Sequence, residues 1–483
     1  MPSEAGQTIF LERSLPGRLQ IPGGCGMMEP SLHKEGSKLK DEHLYRRFFA
    51  MFFPLVLQNV LTLSVNLADN MMLGAYSETA LSGVAAVNQI QFVYQQLLMA
   101  LGDGVVMFGS QYYGQRQIEP IRRVGAAGLR LGLLTAALLF ALVTAAPGGM
   151  VGLFTTDAAI RAQGAAYLAV IRFSYVFFAV TILLLALLRS VEIVGIAFRL
   201  SVMTLLVNCG INYVLIYGHF GAPEMGVVGA AIGTLTARVL ECLVVCFYVL
   251  KRQKVIPARV RDLWQRDPGL SSRYGRKVVP MLILQGAWGL NVALQTAILG
   301  HMTDAAIAAN SAASTLFMMA KSAAVGASAA AASIIGKSVG TGDVALVKSQ
   351  AKRLQRLFVG IGLCAGAFLF SIRIPVMGVY ELSEEAEGLA NGFLLVLCVI
   401  CVTMSYQMPT NNGIIKGAGD VNFVVKMDFI SIWCIVIPVS FFMAFVVKAP
   451  PVVVVCCLNM DQVFKCVPAY IHSHKGDWIK KLT

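Results

Sequence analysis

The stretch PLVLQNVLTLSVNLADNMMLG, residues 54–74, decides what kind of molecule this is. It is about as long as a bilayer-spanning helix requires, roughly 20 apolar residues, and it holds one charge, Asp69. Its polar members Asn59, Thr62, Asn66 and Asp69 fall at i, i+3, i+7 and i+10, on one face of a helix. The rest of the chain has the same character. Of 483 residues, 57% are hydrophobic and 13% charged, against roughly 45–50% and about 25% in soluble domains. That excludes a soluble enzyme and predicts a polytopic membrane protein.

Twelve such runs begin near residues 48, 80, 124, 160, 200, 227, 277, 306, 354, 388, 427 and 451. The +13 net charge is spread over short clusters between them, so it reports topology and not a nucleic-acid partner. Arg116, Arg122 and Arg123, the segment 251–277, Lys337 to Arg353, Lys416, Lys426 and Lys475 to Lys481 lie on one side. Loops near 74–79, 219–226 and 301–305 carry no Lys or Arg. The positive-inside rule then places both termini in the cytoplasm of a multi-pass plasma-membrane protein. The expected organisation is a disordered cytoplasmic tail over 1–43, an N-lobe over 44–250, a basic linker over 251–276, a C-lobe over 277–470 and a tail over 471–483. The first 43 residues hold no continuous apolar core of a signal peptide. Most of the 11 cysteines sit in apolar runs without metal-like spacing and read as small apolar fillers.

A gapless shift of 226 residues lays Pro54 on Pro280, Gly74 on Gly300, Ala80 on Ala306 and Gly114 on Gly340. Six spans separate the copies, so they share one orientation, as parallel repeats about an axis along the membrane normal. The fold class expected is therefore all-α, with twelve transmembrane helices in two six-helix lobes related by a parallel pseudo-two-fold repeat.

Polar groups inside the spans are costly and mark either helix seams or functional surfaces. Asp69 must be protonated, ion-bound or wetted, and a helix-end aspartate reached by the outer medium is the plainer alternative. Under the shift it falls on Gln295, so one lobe alone has the carboxyl group at this place. Asn208 and Asn212, one turn apart in LLVNCGINYVLIYG, either glue helices or join a carboxylate around a hard monovalent cation. A possible Na⁺ position is accordingly Asp69 with Asn208 and Asn212. Thr234 in the sixth span is read by itself as a small packing residue. The candidate substrate cavity takes Asn59, Thr62 and Asn66 from the first span, Asn88, Gln91 and Gln95 from the second, and Gln285, Trp288 and Gln295 from the seventh. With Met71, Met72, Met99, Met318 and Met319 close by in sequence, these suit a soft cavity for amphipathic cations, or ordinary core. Arg238 and Glu241, at i and i+3, are expected to pair or to lie at the membrane interface, and Asp103 and Asp428 to lie near span ends or in interfacial water. Lys321 is left open between snorkelling, meeting a carboxylate and lining a cleft.

There is no GxxxxGK[ST] loop, no HExxH, no GxSxG and no paired acidic motif for Mg²⁺. No cofactor and no enzymatic activity are expected. Transport work would draw on an ion gradient.

PLVLQNVLTLSVNLADNMMLG, then ALSGVAAVNQ, SQYYGQ and GIIKGAGD, in this order over about residues 44–483, resemble the multidrug and toxic compound extrusion (MATE) family of the MOP flippase superfamily. The resemblance implies a monomeric secondary antiporter in the lipid bilayer that exports small organic cations in exchange for H⁺ or Na⁺. It implies that Asp69, Asn208, Asn212 and Thr234 form the N-lobe ion-coupling site. Asn212 stands where many relatives have Asp, and no carboxylate occurs at Gln285 to Trp288, so coupling is expected to rest on the N-lobe. The alternative is a lipid or lipid-linked oligosaccharide flippase of the same superfamily, for which a strongly cationic cleft would be expected.

Overall fold

The computed structural model describes residues 29–256, 267–300, 304–377, 383–475 and 477–483. Among them the chain is helical throughout its long elements, with no strand. The spans are α1 (Glu29–Tyr76), α2 (Glu78–Gly114), α3 (Ile118–Ala145) and α4, a pair Ala158–Ile171 and Ser174–Ser190 bent by 59°. They continue with α5 (Gly195–Tyr217), α6 (Gly226–Arg252), α7 (Pro268–Gly300), α8 (Asp304–Thr341), α9 (Val344–Met377), α10 (Glu384–Ile415), α11 (Val421–Val446) and α12 (Pro451–Lys475). Among the described residues ten helices are long and apolar enough to cross a bilayer, and the bent α4 makes eleven. α7 occupies the place of the remaining expected span. This is an all-α polytopic membrane fold of two lobes, as the apolar runs predict.

Helix ends follow local chemistry. Ser77 caps α2 by accepting from the Ala80 amide, and Asp157 caps α4 by accepting from Ala159 and Ile160. α5 ends at Gly218 in the left-handed conformation that its missing Cβ permits. α1 is helical from Glu29. Residues 1–28 lie outside the described residues. α7 starts at Pro268, and 257–266 of the expected linker lie outside the described residues.

One apolar core is built from α2 to α6, a second from α8, α10 and α12. The lobes exchange helix segments. The first half of α7 enters the N-lobe core, with Tyr274 fully buried and donating its hydroxyl to the Leu101 carbonyl at 2.6 Å. In return α1 sets Phe48 6.1 Å from Phe358 of α9 and packs Val56 against Gly326 of α8. The lobes also meet where α2 and α8 reach the end of the bundle that carries the basic loops. There Asp103 of α2 pairs with Arg189 at 3.2 Å and with Lys416 beyond α10 at 2.8 Å, a tie between lobes. Glu192, in the turn before α5, pairs with Arg47 of α1 and with Lys337 of α8.

Candidate ion-coupling site

Asp69 lies in the last two turns of α1, facing α5 and α6. α5 brings Asn208 and Asn212 to the same place, and both are buried. A buried polar group needs a partner, and here the partners form one chain. Asn212 donates from Nδ2 to Asp69 Oδ1 at 2.6 Å, and the same nitrogen lies 3.4 Å from Asn208 Oδ1. Asn208 donates from Nδ2 to Thr234 Oγ1 at 3.2 Å. Three helices are thereby joined through four side chains, and the first bond is strengthened by the carboxylate's charge. Tyr217 fastens the end of α5 to α1 by donating to the Met72 carbonyl at 2.8 Å.

Glycine sets how closely α6 approaches. A Cβ on Gly229 would lie 2.6 Å from the Leu215 carbonyl oxygen, and one on Gly233 would lie 2.1 Å from Asn212 Oδ1. The Asn212 carboxamide oxygen therefore rests against Gly233 without a hydrogen-bond partner, while its N–H side meets Asp69.

Two adjoining polar cavities run along this seam. The first includes Asn66, Asp69, Asn88, Gln91, Asn208 and Thr234, with Tyr167, Thr204 and Arg238, which the sequence reading did not place there. The second includes Thr62, Asn66, Ser201, Thr204, Arg238 and Glu241. Arg238 and Glu241 pair at 3.3 Å, and the guanidinium also lies 4.0 Å over the Phe178 ring. Of the residues chosen for a substrate cavity, Thr62, Asn66, Asn88 and Gln91 are gathered here. Asn59, Gln95, Gln285, Trp288 and Gln295 line neither space. Gln295 donates to Asn291 at 3.3 Å within α7. Trp288 stands at the lobe boundary, its ring 5.6 Å from Phe92 of α2.

Lys321 forms no ion pair among the described residues; its ammonium lies 5.2 Å from the Trp288 ring centre. The C-lobe holds a charged cluster that sequence spacing did not reveal. Lys465 is buried between Asp428 at 2.8 Å and Asp461 at 3.0 Å, and Gln462, Gln407 and Asn411 extend the network. Asp428 is thus paired inside the C-lobe. Its partners come from α12, about 35 residues away in sequence, beyond the reach of helical periodicity.

The family model MatE matches residues 54–214 and 287–442, well over half of the chain. A probable multidrug resistance protein NorM of Thermotoga maritima is 23% identical over 444 residues, covering 90% of this chain and 93% of that protein. The NorM of Bacillus anthracis is 26% identical over 420 residues, covering 83% and 88%. Among solved structures, the Vibrio cholerae MATE transporter VcmN superposes with a TM-score of 0.83 at 16% identity, covering 92% of this chain and 99% of that one. An outward-facing MATE family multidrug resistance transporter of the MOP superfamily gives a TM-score of 0.81 at 17% identity, covering 89% and 95%. With the family model matched across both lobes, well over half of its length, the chain belongs to the MatE family.

Proposed function

We propose that this protein is a secondary active antiporter that exports amphipathic, cationic organic compounds in exchange for H⁺ or Na⁺. The observation that carries the reading is Asp69, a membrane-embedded carboxylate hydrogen-bonded by Asn212 beside a polar cavity. An intramembrane ionisable group of this kind belongs to an ion or substrate path. The basic loops face the cytoplasm, as do both termini, and the closure of α2 on α8 is then a cytoplasmic closure. In the cycle, the two lobes part alternately on either side. Asp69 exchanges its ion in the outward-open arrangement, α1 repacks against α5, and the substrate leaves. Return of the ion to the cytoplasm resets the lobes. The NorM relatives, described as multidrug resistance proteins, support small organic molecules as cargo.

The test is efflux of ethidium from proteoliposomes, with pH and Na⁺ gradients imposed separately. Efflux is expected to follow an ion gradient in the wild type and to lose that dependence in Asp69→Asn. An Asp69→Asn protein with undiminished ion-driven efflux would remove Asp69 from the mechanism. Gradient-independent transfer of fluorescent lipid in place of ethidium would favour a flippase.

A further inference from the structure

We propose that residues 480–483 are a latch on the cytoplasmic side of the transporter. Anchored on the C-lobe, they hook the N-lobe only while the lobes are closed at that end, and they must unhook before the lobes part there. The latch rests on the alternating-lobe reading above.

Its anchor is on the C-lobe. Trp478 is fully buried and donates its indole N–H to the Ser473 carbonyl at 2.7 Å. The Lys480 amide donates to the Ala418 carbonyl at 2.9 Å, and the Lys480 ammonium meets the buried Asp420 carboxylate at 2.8 Å. Gly419 lets the segment lie close on this turn: its φ is +100°, and a Cβ there would stand 2.5 Å from the Lys480 carbonyl oxygen.

The hooks reach the other lobe. Gln111 of α2, fully buried, donates from Nε2 to the Lys480 carbonyl at 3.3 Å and accepts at Oε1 from the Leu482 amide at 2.8 Å. Gln115, one turn on, donates to the Thr483 hydroxyl. The Leu482 side chain packs against the N-lobe core. Arg273, next to the Tyr274 that α7 buries in that core, donates to the Leu482 carbonyl at 3.3 Å.

The segment has no slack. Lys480 bonds the C-lobe through its N–H and the N-lobe through its C=O, and Leu482 is at most about 7 Å further along an extended chain. Lobes that part here by more than that must break one set of bonds. The N-lobe set gives way, since the other includes a buried indole and an ion pair to a buried carboxylate.

The hold is also specific to one state. With the lobes closed, Gln111 lies out of water, and without the segment its carboxamide would be buried unpaired. With the lobes open, water reaches Gln111 and supplies the same bonds. The segment therefore stabilises the closed state and not the open one, which is the condition for shifting their equilibrium.

The test compares the full chain with one lacking residues 480–483, which keeps Trp478 and loses the hooks. Lobe separation in nanodiscs is read by double electron–electron resonance between spin labels on ketone-bearing non-canonical residues at Gln117 and Val344. Both positions are exposed, beside the starts of α3 and α9. The shortened chain is expected to populate the cytoplasm-open separation about tenfold more than the full chain, as the loss of two hydrogen bonds implies. The converse variant, Gln115→Cys with Thr483→Cys, fastens the hook. When oxidised it is expected to stay cytoplasm-closed and to lose ethidium efflux from proteoliposomes, regaining both on reduction, while oxidised wild type keeps its efflux. An unchanged distance distribution in the folded shortened chain, or full efflux from the cross-linked protein, would overturn the proposal. If the shortened chain does not fold, the cross-link decides alone; if the disulfide does not form, the distances do. The distances are measured without cargo or gradient. Efflux that followed neither a pH nor a Na⁺ gradient would therefore sink the antiport reading and leave the latch to be judged on lobe separation.

Discussion

Gly114 and Gly340 stand at equivalent positions of the two halves and touch each other. A Cβ on Gly114 would lie 3.0 Å from Gly340 Cα and 2.0 Å from the Lys337 carbonyl oxygen; one on Gly340 would lie 2.0 Å from the Gln111 carbonyl oxygen. Gln111 and Lys337 are themselves related by the same 226-residue shift. So are Ser110 and Gly336, and a Cβ on Gly336 would lie 1.9 Å from Ser110 Oγ. The contact is reciprocal, as a two-fold relation requires, and the pseudo-symmetry axis runs between the crossing points of α2 and α8. Small residues let the two backbones meet directly. The lobes are therefore closed at the basic end by backbone-to-backbone packing.

Gly340→Ala is expected to wedge this crossing apart, because the obstructing atom is backbone and cannot turn aside. Overpacking of this kind costs about 1–3 kcal/mol. The melting temperature in detergent should fall, and disulfide trapping between cysteines placed at Tyr113 and Lys337 should become slower. Trapping at the wild-type rate would show that the closure tolerates the methyl group.

The closure is also strapped by the C-terminal segment. Gln111 of α2 is fully buried and gives both faces of its carboxamide to that segment: Nε2 donates to the Lys480 carbonyl at 3.3 Å and Oε1 accepts from the Leu482 amide at 2.8 Å. Trp478, also fully buried, anchors the strap on the C-lobe by donating to the Ser473 carbonyl at 2.7 Å. Gln111→Leu should free the strap from the N-lobe while leaving Trp478 in place. Each lost hydrogen bond costs about 0.5–1.5 kcal/mol, so amide exchange at residues 480–482 should quicken by about tenfold. Unchanged exchange there would assign the hold on the strap to the C-lobe alone.

Asp420, between α10 and α11, fixes the same segment and responds to acid. Burial by itself would raise its carboxyl, but Lys480 at 2.8 Å and His472 at 2.9 Å outweigh it and hold the group below the usual carboxylate range. With the folded value below the unfolded one, this stabilisation is complete at neutral pH. It fades as the pH falls below about 4 toward the folded value. Hydrogen exchange of the strap should therefore rise on acidification below that point. Lys480→Met should move the rise to higher pH, and a rise at the wild-type pH in that variant would remove the pair from the account.

The spans, the two-fold repeat and the polar face of α1 are legible in the sequence because each is a periodicity within one helix or one fixed shift between halves. Asp69, Asn208 and Asn212 stand out because a carboxyl or amide inside an apolar run has few harmless explanations. What escapes is anything made by two helices meeting. Tyr167 reaches the cavity from α4, Arg238 sits between two cavities, and Lys465 finds Asp428 across the C-lobe. Glu192, at φ 66°, draws Arg47 and Lys337 together from places 145 residues to either side. No spacing rule predicts such meetings, since they depend on how the helices are packed and rotated.

Gly233 is the position where packing and the candidate coupling site meet most directly. Its missing side chain is the space in which the Asn212 oxygen lies, 2.1 Å from where a Cβ would be. Gly233→Ala would push that carboxamide away, and Asn212 is what holds the Asp69 carboxylate at 2.6 Å. The helix itself should not suffer, because alanine is favoured over glycine in a helix by about 1 kcal/mol. The variant is therefore expected to insert and melt near the wild type, yet to lose ion-driven efflux by about tenfold or more, as a charge-assisted hydrogen bond worth about 1.5–3 kcal/mol would predict. Ion-driven efflux at the wild-type rate in Gly233→Ala alone would show that the seating of Asn212 is not what tunes Asp69.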